Sequence, residues 1–310
     1  MSELFLSESE NSPGPAISRL QLSCFRSYQV LDLRIQSRMV VLTGDNGAGK
    51  TNVLEAISLL TAGRGLRRAD IGDCVSEGSG SAFAIAAEIL FRGVRTHLGT
   101  GAEPSEGGLA RKYRIEKEPV SSMRAFADYL RIVWLTPAMD GLFMGSPGDR
   151  RRFLDRLVLA IDTAHGARVN SLERALRNRN RLLESPHRDK LWLDAAEREV
   201  AELGIAVAAA RQETVARLSA LIEANHDESS LFPWASLALE GEIDRLIAEL
   251  PALDAEDRFR RLLFESRSRD AAAGRTLVGP QASDLLVGYG AKDIPAARCS
   301  TGCLLYTSPS

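Results

Sequence analysis

Val40-Val41-Leu42-Thr43-Gly44-Asp45-Asn46-Gly47-Ala48-Gly49-Lys50-Thr51-Asn52-Val53-Leu54-Glu55-Ala56-Ile57-Ser58-Leu59-Leu60 is the stretch whose reading decides the fold. The apolar run Met39 to Leu42 predicts a buried strand that stops at a glycine-dense turn, after which Val53, Leu54, Ile57 and Leu60 recur at helical spacing. Between strand and helix, Gly44 to Thr51 fits G-x-x-x-x-G-K-[ST]. Glycines at 44, 47 and 49 allow positive φ and close approach, so successive N–H groups can turn into one concavity that suits phosphate oxygens. The helix opening near Lys50 adds uncancelled N–H donors and about half a positive charge at its start. Lys50 is placed to reach the β- and γ-phosphates, and the Thr51 hydroxyl to hold Mg²⁺. Gly44, Asp45, Asn46, Gly47, Ala48, Gly49, Lys50 and Thr51 are therefore the predicted nucleotide site, against the plainer reading of a turn needed only for packing.

Working outward, the 310 residues are 45% hydrophobic and 26% charged, an ordinary globular composition whose length suggests about two domains. A net charge of −2 leaves any nucleic-acid interaction to local charge. Cys24, Cys74, Cys299 and Cys303 form no C-x-x-C pair, which argues against a zinc site or a disulfide framework and for a reducing cytoplasm. His97, His165, His187 and His226 are isolated, so metal ligation by histidine is not expected. Residues 1–16, rich in Ser, Glu and Pro, lack the basic start and apolar core of a signal peptide and read as a disordered lead-in. No apolar run approaches the roughly 18 residues needed to cross a bilayer, so no membrane association is expected.

Ile17 to Cys24 and Leu31 to Ile35 alternate apolar and polar residues and predict an antiparallel pair. Arg26, in the loop between them, and Arg64 and Arg67, in the glycine loop after the helix, are candidates to touch a nucleotide or DNA; a solvated loop arginine is the alternative. Ser81 to Phe91 and Lys112 to Ile115 read as strands joined by a mobile glycine-rich connection from Gly99 to Gly108, and Arg131 to Leu135 as a short buried strand. Ser146-Pro147-Gly148-Asp149 opens a helical region, and Pro186 separates its second and third helices. Residues 150–190 carry eleven Lys/Arg against five Asp/Glu. Within that excess, Arg150, Arg151 and Arg152 are consecutive and Arg174, Arg177 and Arg181 share a helix face, a pattern that matches a phosphate backbone or simply a solvated basic surface. Phe232 to Leu239 reads as a returning strand, Ala255 to Arg269 as a charged helix, Gly274 to Pro280 as a glycine-bounded strand, and Asp284 to Val287 as its continuation in the sheet.

Taken together the chain resembles the bacterial RecF DNA replication and repair proteins, relatives of the SMC ATPases within the ABC ATPase superfamily. The resemblance rests on Phe25-Arg26-Ser27-Tyr28, Gly44 to Ile57, Gly63-Arg64, Trp134-Leu135-Thr136-Pro137, Gly145 to Asp155, Gly274 to Pro280 and Cys299-Ser300-Thr301-Gly302, in family order. It implies an α/β fold, a P-loop ABC-ATPase head with a mixed sheet around the phosphate-loop helix and an inserted α-helical lobe. The implied division is 1–16 lead-in, 17–145 first ATPase lobe, 146–270 helical lobe, 271–302 return to the first lobe, and 303–310 a tail foreign to the family. It further implies binding of ATP and Mg²⁺, an ATP-dependent homodimer, a grip on single-stranded, double-stranded and gapped DNA, and action with RecO and RecR in recombinational repair, replication restart and the SOS response to DNA damage.

Two departures accompany the matches. Relatives follow Gly279-Pro280 with His-Arg-Asp, whereas Gln281-Ala282-Ser283 stand here before Asp284. The signature motif Ser-Thr-Gly-Glu-Gln begins at Ser300, Thr301 and Gly302 and departs at Cys303, and the strand bearing the Mg²⁺-binding Asp and catalytic Glu is not supplied. The expectation is a C-terminally truncated head with no catalytic residue of its own and little ATP turnover alone. A non-enzymatic DNA-binding clamp, an inactive fragment or another P-loop NTPase are the alternatives.

Overall fold

The computed structural model describes residues 16–61, 63–78, 80, 82–91, 93–185, 189–227, 234–290 and 294–299. The chain divides into two compact units, Met1–Trp134 and Leu135–Ser310.

In the first unit the alternating pattern of the N-terminal segment becomes β1 (Ala16–Phe25) and β2 (Tyr28–Arg34), paired antiparallel through Leu20↔Leu33 and Leu22↔Leu31. They belong to a six-stranded antiparallel sheet with β3 (Phe83–Phe91), β4 (Val94–Ser105), β5 (Gly108–Ile115) and β6 (Glu118–Pro119), in the order β2-β1-β3-β4-β5-β6. One face of this sheet carries Leu20, Leu22, Phe83, Ile85, Ile89 and Leu98, all buried, and against it packs the phosphate-loop helix α1 (Lys50–Ser58) through Val53 and Ala56, followed by Leu59 and Leu60. Each of these large side chains contributes about 1.5–3 kcal/mol by leaving water. The core therefore fixes the helix that opens the phosphate loop.

Three expectations fail in this unit and at its border. Met39–Leu42 forms no ladder beyond a single bridge at Val40, and Met39 and Val41 are 62% and 63% exposed. An apolar run becomes a buried strand only where neighbours take its N–H and C=O groups. The supposed glycine-rich connection from 99 to 108 is mostly strand β4, because Gly101 lets the neighbouring strand come close: a Cβ there would run into the Phe83 carbonyl. Arg131–Leu135 is irregular, with Val133 and Leu135 exposed.

The second unit is mainly helical: α2 (Pro147–Ile161), α3 (His165–Glu184), α4 (Lys190–Ala224), α5 (Glu242–Glu249) and α6 (Ala252–Ala273). Ser146 caps α2 as its sequence implies, its side chain accepting from the Asp149 N–H. The α3 helix ends at Glu184 with Ser185 extended, as a residue before proline prefers; Pro186 itself lies outside the described residues, as do Phe232 and the family-foreign residues 303–310. Leu172, Leu176, Val200, Ile205, Phe259 and Leu263 form the helical core. The returning strand is β7 (Ala235–Glu240), which pairs antiparallel with β8 (Asp284–Tyr289), itself paired with β9 (Ile294–Pro295) in a separate three-stranded sheet. Gly274–Pro280 is not a strand but a series of bends, and residues 271–299 sit in the second unit rather than in the six-stranded sheet. The helix α5 had no counterpart in the sequence reading.

Candidate nucleotide-binding loop

The loop between residues 44 and 51 has the conformation its glycines allow. Gly44, Gly47 and Gly49 take φ of 136°, 89° and 93°, and α1 starts at Lys50 directly behind Gly49. A Cβ at Gly49 would lie 2.5 Å from the Tyr28 hydroxyl, so this position needs both the left-handed backbone and the missing side chain. Ala48 N–H donates to Asp45 O at 3.1 Å, closing a tight turn. Among the described residues no acceptor meets the N–H groups of Gly49, Lys50 or Thr51. Lys50 Nζ bends back to donate to Gly44 O at 2.6 Å and Asp45 O at 2.7 Å, so the ammonium already stands over the loop. Backbone donors without acceptors among the described residues, a helix start and a resident cation form an arrangement that fits a polyphosphate.

The loop is fastened to its surroundings through α1. The tight turn of the β1–β2 hairpin places Arg26 at φ 53°, a conformation that costs a non-glycine residue roughly 1–2 kcal/mol. Arg26 offsets that cost by a bidentate pair with Glu55, Nε to Oε2 at 2.9 Å and Nη2 to Oε1 at 2.8 Å, and by donating to Asp73 O. Hydrogen bonding to Glu55 raises the Arg26 pKa further above its ordinary value. Arg67 donates to the same carboxylate at 2.7 Å and to Asn52 Oδ1 at 2.8 Å, while Asn52 donates to Ser27 Oγ at 2.8 Å. Glu55 is 1% exposed, a buried carboxylate satisfied by two guanidinium groups.

Residues 16–119 match the family "RecF/RecN/SMC N terminal domain". The chain is 50% identical over 286 residues to the DNA replication and repair protein RecF of Rhizobium meliloti (strain 1021), covering 92% of this chain and 76% of that one. It is 51% identical, with the same coverage, to the RecF of Rhizobium rhizogenes (strain K84 / ATCC BAA-868). The chain belongs to the RecF family of DNA replication and repair proteins. Its fold is that of two solved structures. One, described as "Structure of the recombination mediator protein RecF-ATPrS in RecFOR pathway", gives a TM-score of 0.76 at 19% identity over 95% of this chain and 76% of that one. The other, of RecF-ATP, gives 0.75 at 18% identity over 96% and 81%.

In this RecF-family chain the candidate DNA arginines divide by what holds them. Arg26 and Arg67 hold Glu55, as above. Arg150 forms a bidentate pair with Asp284 at 2.8 and 2.6 Å and donates to Phe143 O and Gly145 O, while Arg151 donates to Ser283 O at 2.6 Å. The Arg150 hydrogen bonds hold the Asp284 carboxyl below the usual carboxylate range. Arg64, paired with Asp70, and Arg152, paired with Asp149, are exposed ion pairs. Arg174, Arg177 and Arg181 form an exposed face of α3, with Arg177 3.7 Å from Glu173. Ser300, Thr301 and Gly302 lie outside the described residues.

Sequence reasoning missed Glu55, Asn52 and Tyr28, which shape the loop's support. The available signal was a lone carboxylate in the Val53–Ile57 run of α1, flanked by arginine-bearing loops. It also missed Arg179, fully buried on α3 between Glu197 at 3.1 Å and Asp270 at 2.8 Å, and Arg211, which holds Asp155 at 2.8 and 2.9 Å. Burial would raise the Asp155 pKa, but hydrogen bonds from His165 and Arg211 prevail and hold it below the ordinary range.

Proposed function

We propose that this chain binds ATP at Gly44–Thr51 and, in that state, engages DNA in recombinational repair and replication restart. The observation that carries this reading is the loop whose N–H groups at Gly49, Lys50 and Thr51 meet no acceptor among the described residues, with Lys50 bent over it. Bound Mg²⁺ would neutralise phosphate charge, and Thr51, exposed in the first turn of α1, is the residue to hold it. Lys50 would exchange two carbonyl acceptors for phosphate oxygens. Family membership supports the nucleotide, since relatives of this fold have been solved as RecF-ATP.

For DNA, the exposed Arg64, Arg152, Arg174, Arg177 and Arg181 are the contacts we favour, because their guanidinium groups are held at most by exposed ion pairs worth about 0–1 kcal/mol or, at Arg174, by one exposed hydrogen bond to Ser171 Oγ. Family kinship also supports a cytoplasmic protein that closes as an ATP-dependent homodimer and works with RecO and RecR. Among the described residues no helix is long and apolar enough to cross a membrane.

Titration with labelled ATP and Mg²⁺ tests the nucleotide reading: saturable uptake by the wild-type chain and its loss in Lys50→Ala are expected. Folded protein that takes up no ATP overturns it. For DNA, binding that strengthens with ATP and weakens steeply with salt is expected, about 10³–10⁵ between 50 and 200 mM for six to ten phosphates. Salt-dependent binding indifferent to ATP would favour the clamp.

A further inference from the structure

We propose that Arg111, on the core side of β5, is a positioning residue for the phosphate loop, which it serves by capping the far end of α1; this rests on the nucleotide reading above. The helix has only nine residues, about 14 Å of length, so both ends belong to one short rod. Its N-terminal end presents donors to the phosphates, and its C-terminal end leaves carbonyls without intrahelical partners and about half a negative charge. The Leu59 and Leu60 N–H groups take up the Glu55, Ala56 and Ile57 carbonyls, but the charge at neither end is met within the helix, since its last turn holds no basic residue and its first turn no acid.

Arg111 supplies what is missing. Its Nη2 donates to Leu59 O at 2.6 Å, the C-cap residue of α1, and its Nη1 donates to Gly63 O at 2.8 Å, where the basic loop begins. Its Nε lies 3.4 Å from Thr100 Oγ1, and the guanidinium stands 5.4 Å from the centre of the Tyr113 ring. Leu109, Tyr113 and Ile115 share this side of β5 and pack against the hydrophobic core, so Arg111 is a cation among apolar neighbours. Burial lowers its pKa, and among the described residues no carboxylate pairs with it. A cation so placed is tolerated because the carbonyls receive it. It pins the end of α1 and the start of the loop whose Arg67 returns to Asn52 and Glu55. The helix is thus mounted at both ends, and the N-terminal donors point where the two mounts aim them.

The test compares Mg²⁺-ATP affinity, read with a labelled nucleotide, in wild type, Arg111→Met, Arg111→Lys and Leu130→Ala, at a temperature where each melts later. Leu130 is 8% exposed in the first unit's core and lies in no strand of the face that holds α1, so its truncation lowers stability without removing a group that holds the cap. Arg111→Met is expected to weaken ATP about tenfold, within reach of a partly buried charge at a helix end. Arg111→Lys is expected to recover at least a threefold share of that, and Leu130→Ala to stay within twofold of wild type. If Arg111→Met does not fold, Arg111→Lys is expected to bind about threefold more weakly than wild type, and equal affinity overturns the inference. ATP binding unchanged in Arg111→Met, or an equal loss in Leu130→Ala, overturns the inference alone. A wild-type chain that takes up no ATP overturns the nucleotide reading, and this inference falls with it.

Discussion

Two glycine-bounded segments, Gly44–Thr51 in the first unit and Gly274–Pro280 in the second, stand out in the sequence for the same reason and behave in opposite ways. In the first, the N–H groups of Gly49, Lys50 and Thr51 are left without acceptors among the described residues, Lys50 is laid over the loop, and the Tyr28 hydroxyl touches only a carbonyl, Ala48 O at 3.4 Å. In the second, the backbone is taken up by the protein itself. Asn180 Oδ1 accepts from the Thr276 N–H and hydroxyl at 2.9 and 2.7 Å, Asp270 accepts from Leu277 N–H at 3.1 Å, and Gln281 donates to Thr276 O and Val278 O. Arg179 closes the arrangement by donating to Thr276 Oγ1 at 2.8 Å. Glycine spacing alone therefore does not mark a ligand site. What marks it is whether the donors that the glycines turn outward are already used.

The largest expected effect breaks the second segment's internal network. Replacing Arg179 by Met leaves Asp270 fully buried without its cation, while Glu197 keeps Arg267 at 2.6 Å, and unfolding in urea is expected to show a loss of about 3–5 kcal/mol. A loss below about 1 kcal/mol would mean that the network only accompanies the packing.

Next in size is the Arg150–Asp284 pair, whose removal by Asp284→Asn is expected to cost about 1.5–3 kcal/mol at neutral pH. The Asp284 carboxyl is held below its ordinary pKa in the folded chain, so its contribution is present above the unfolded value of about 3.9 and disappears as pH falls through the folded one. Acid titration of stability should accordingly fall less steeply below pH about 4 in Asp284→Asn than in wild type. Identical curves would detach this pair from acid sensitivity.

A sharper comparison sets Gly49 against Gly274, both at positive φ. Alanine at either costs roughly 1–2 kcal/mol for the backbone alone. At Gly49 it also meets the Tyr28 hydroxyl, and at Gly274 nothing lies within 4 Å. Gly49→Ala is expected to be the more destabilising and to abolish ATP uptake, whereas Gly274→Ala should leave uptake unchanged. Equal effects on uptake would erase the distinction between the two segments.

The smallest effect is expected at Arg177, two residues from Arg179 on the same helix and facing outward. Arg177→Ala should change stability by no more than about 0.5 kcal/mol. If Arg177 meets a phosphate, the salt slope of DNA binding should fall by about 1. An unchanged slope would remove it from the interface.

The elements that were legible in the sequence are those whose signals are local. The β1–β2 hairpin follows from alternation, the start of α2 from Ser146-Pro147-Gly148-Asp149, and the loop at 44–51 from spacing and flanking periodicity. The β4 strand was hidden because its glycines read as a connection, and α5 because eight residues carry too few turns to announce a period. The arginines were the least legible. Arg177 and Arg179 have the same chemistry and nearly the same position in the chain, yet one faces outward and the other is fully buried.

The sequence by itself determined where a phosphate-binding turn lies, which helix follows it and which family the chain resembles, because these depend on neighbours a few residues apart. Only the tertiary structure decided which arginines remain outside, which acids they hold and that Arg111 meets the end of α1. Such partners lie tens of residues away along the chain, and a charge is free or satisfied only once folding has fixed which groups share its surroundings.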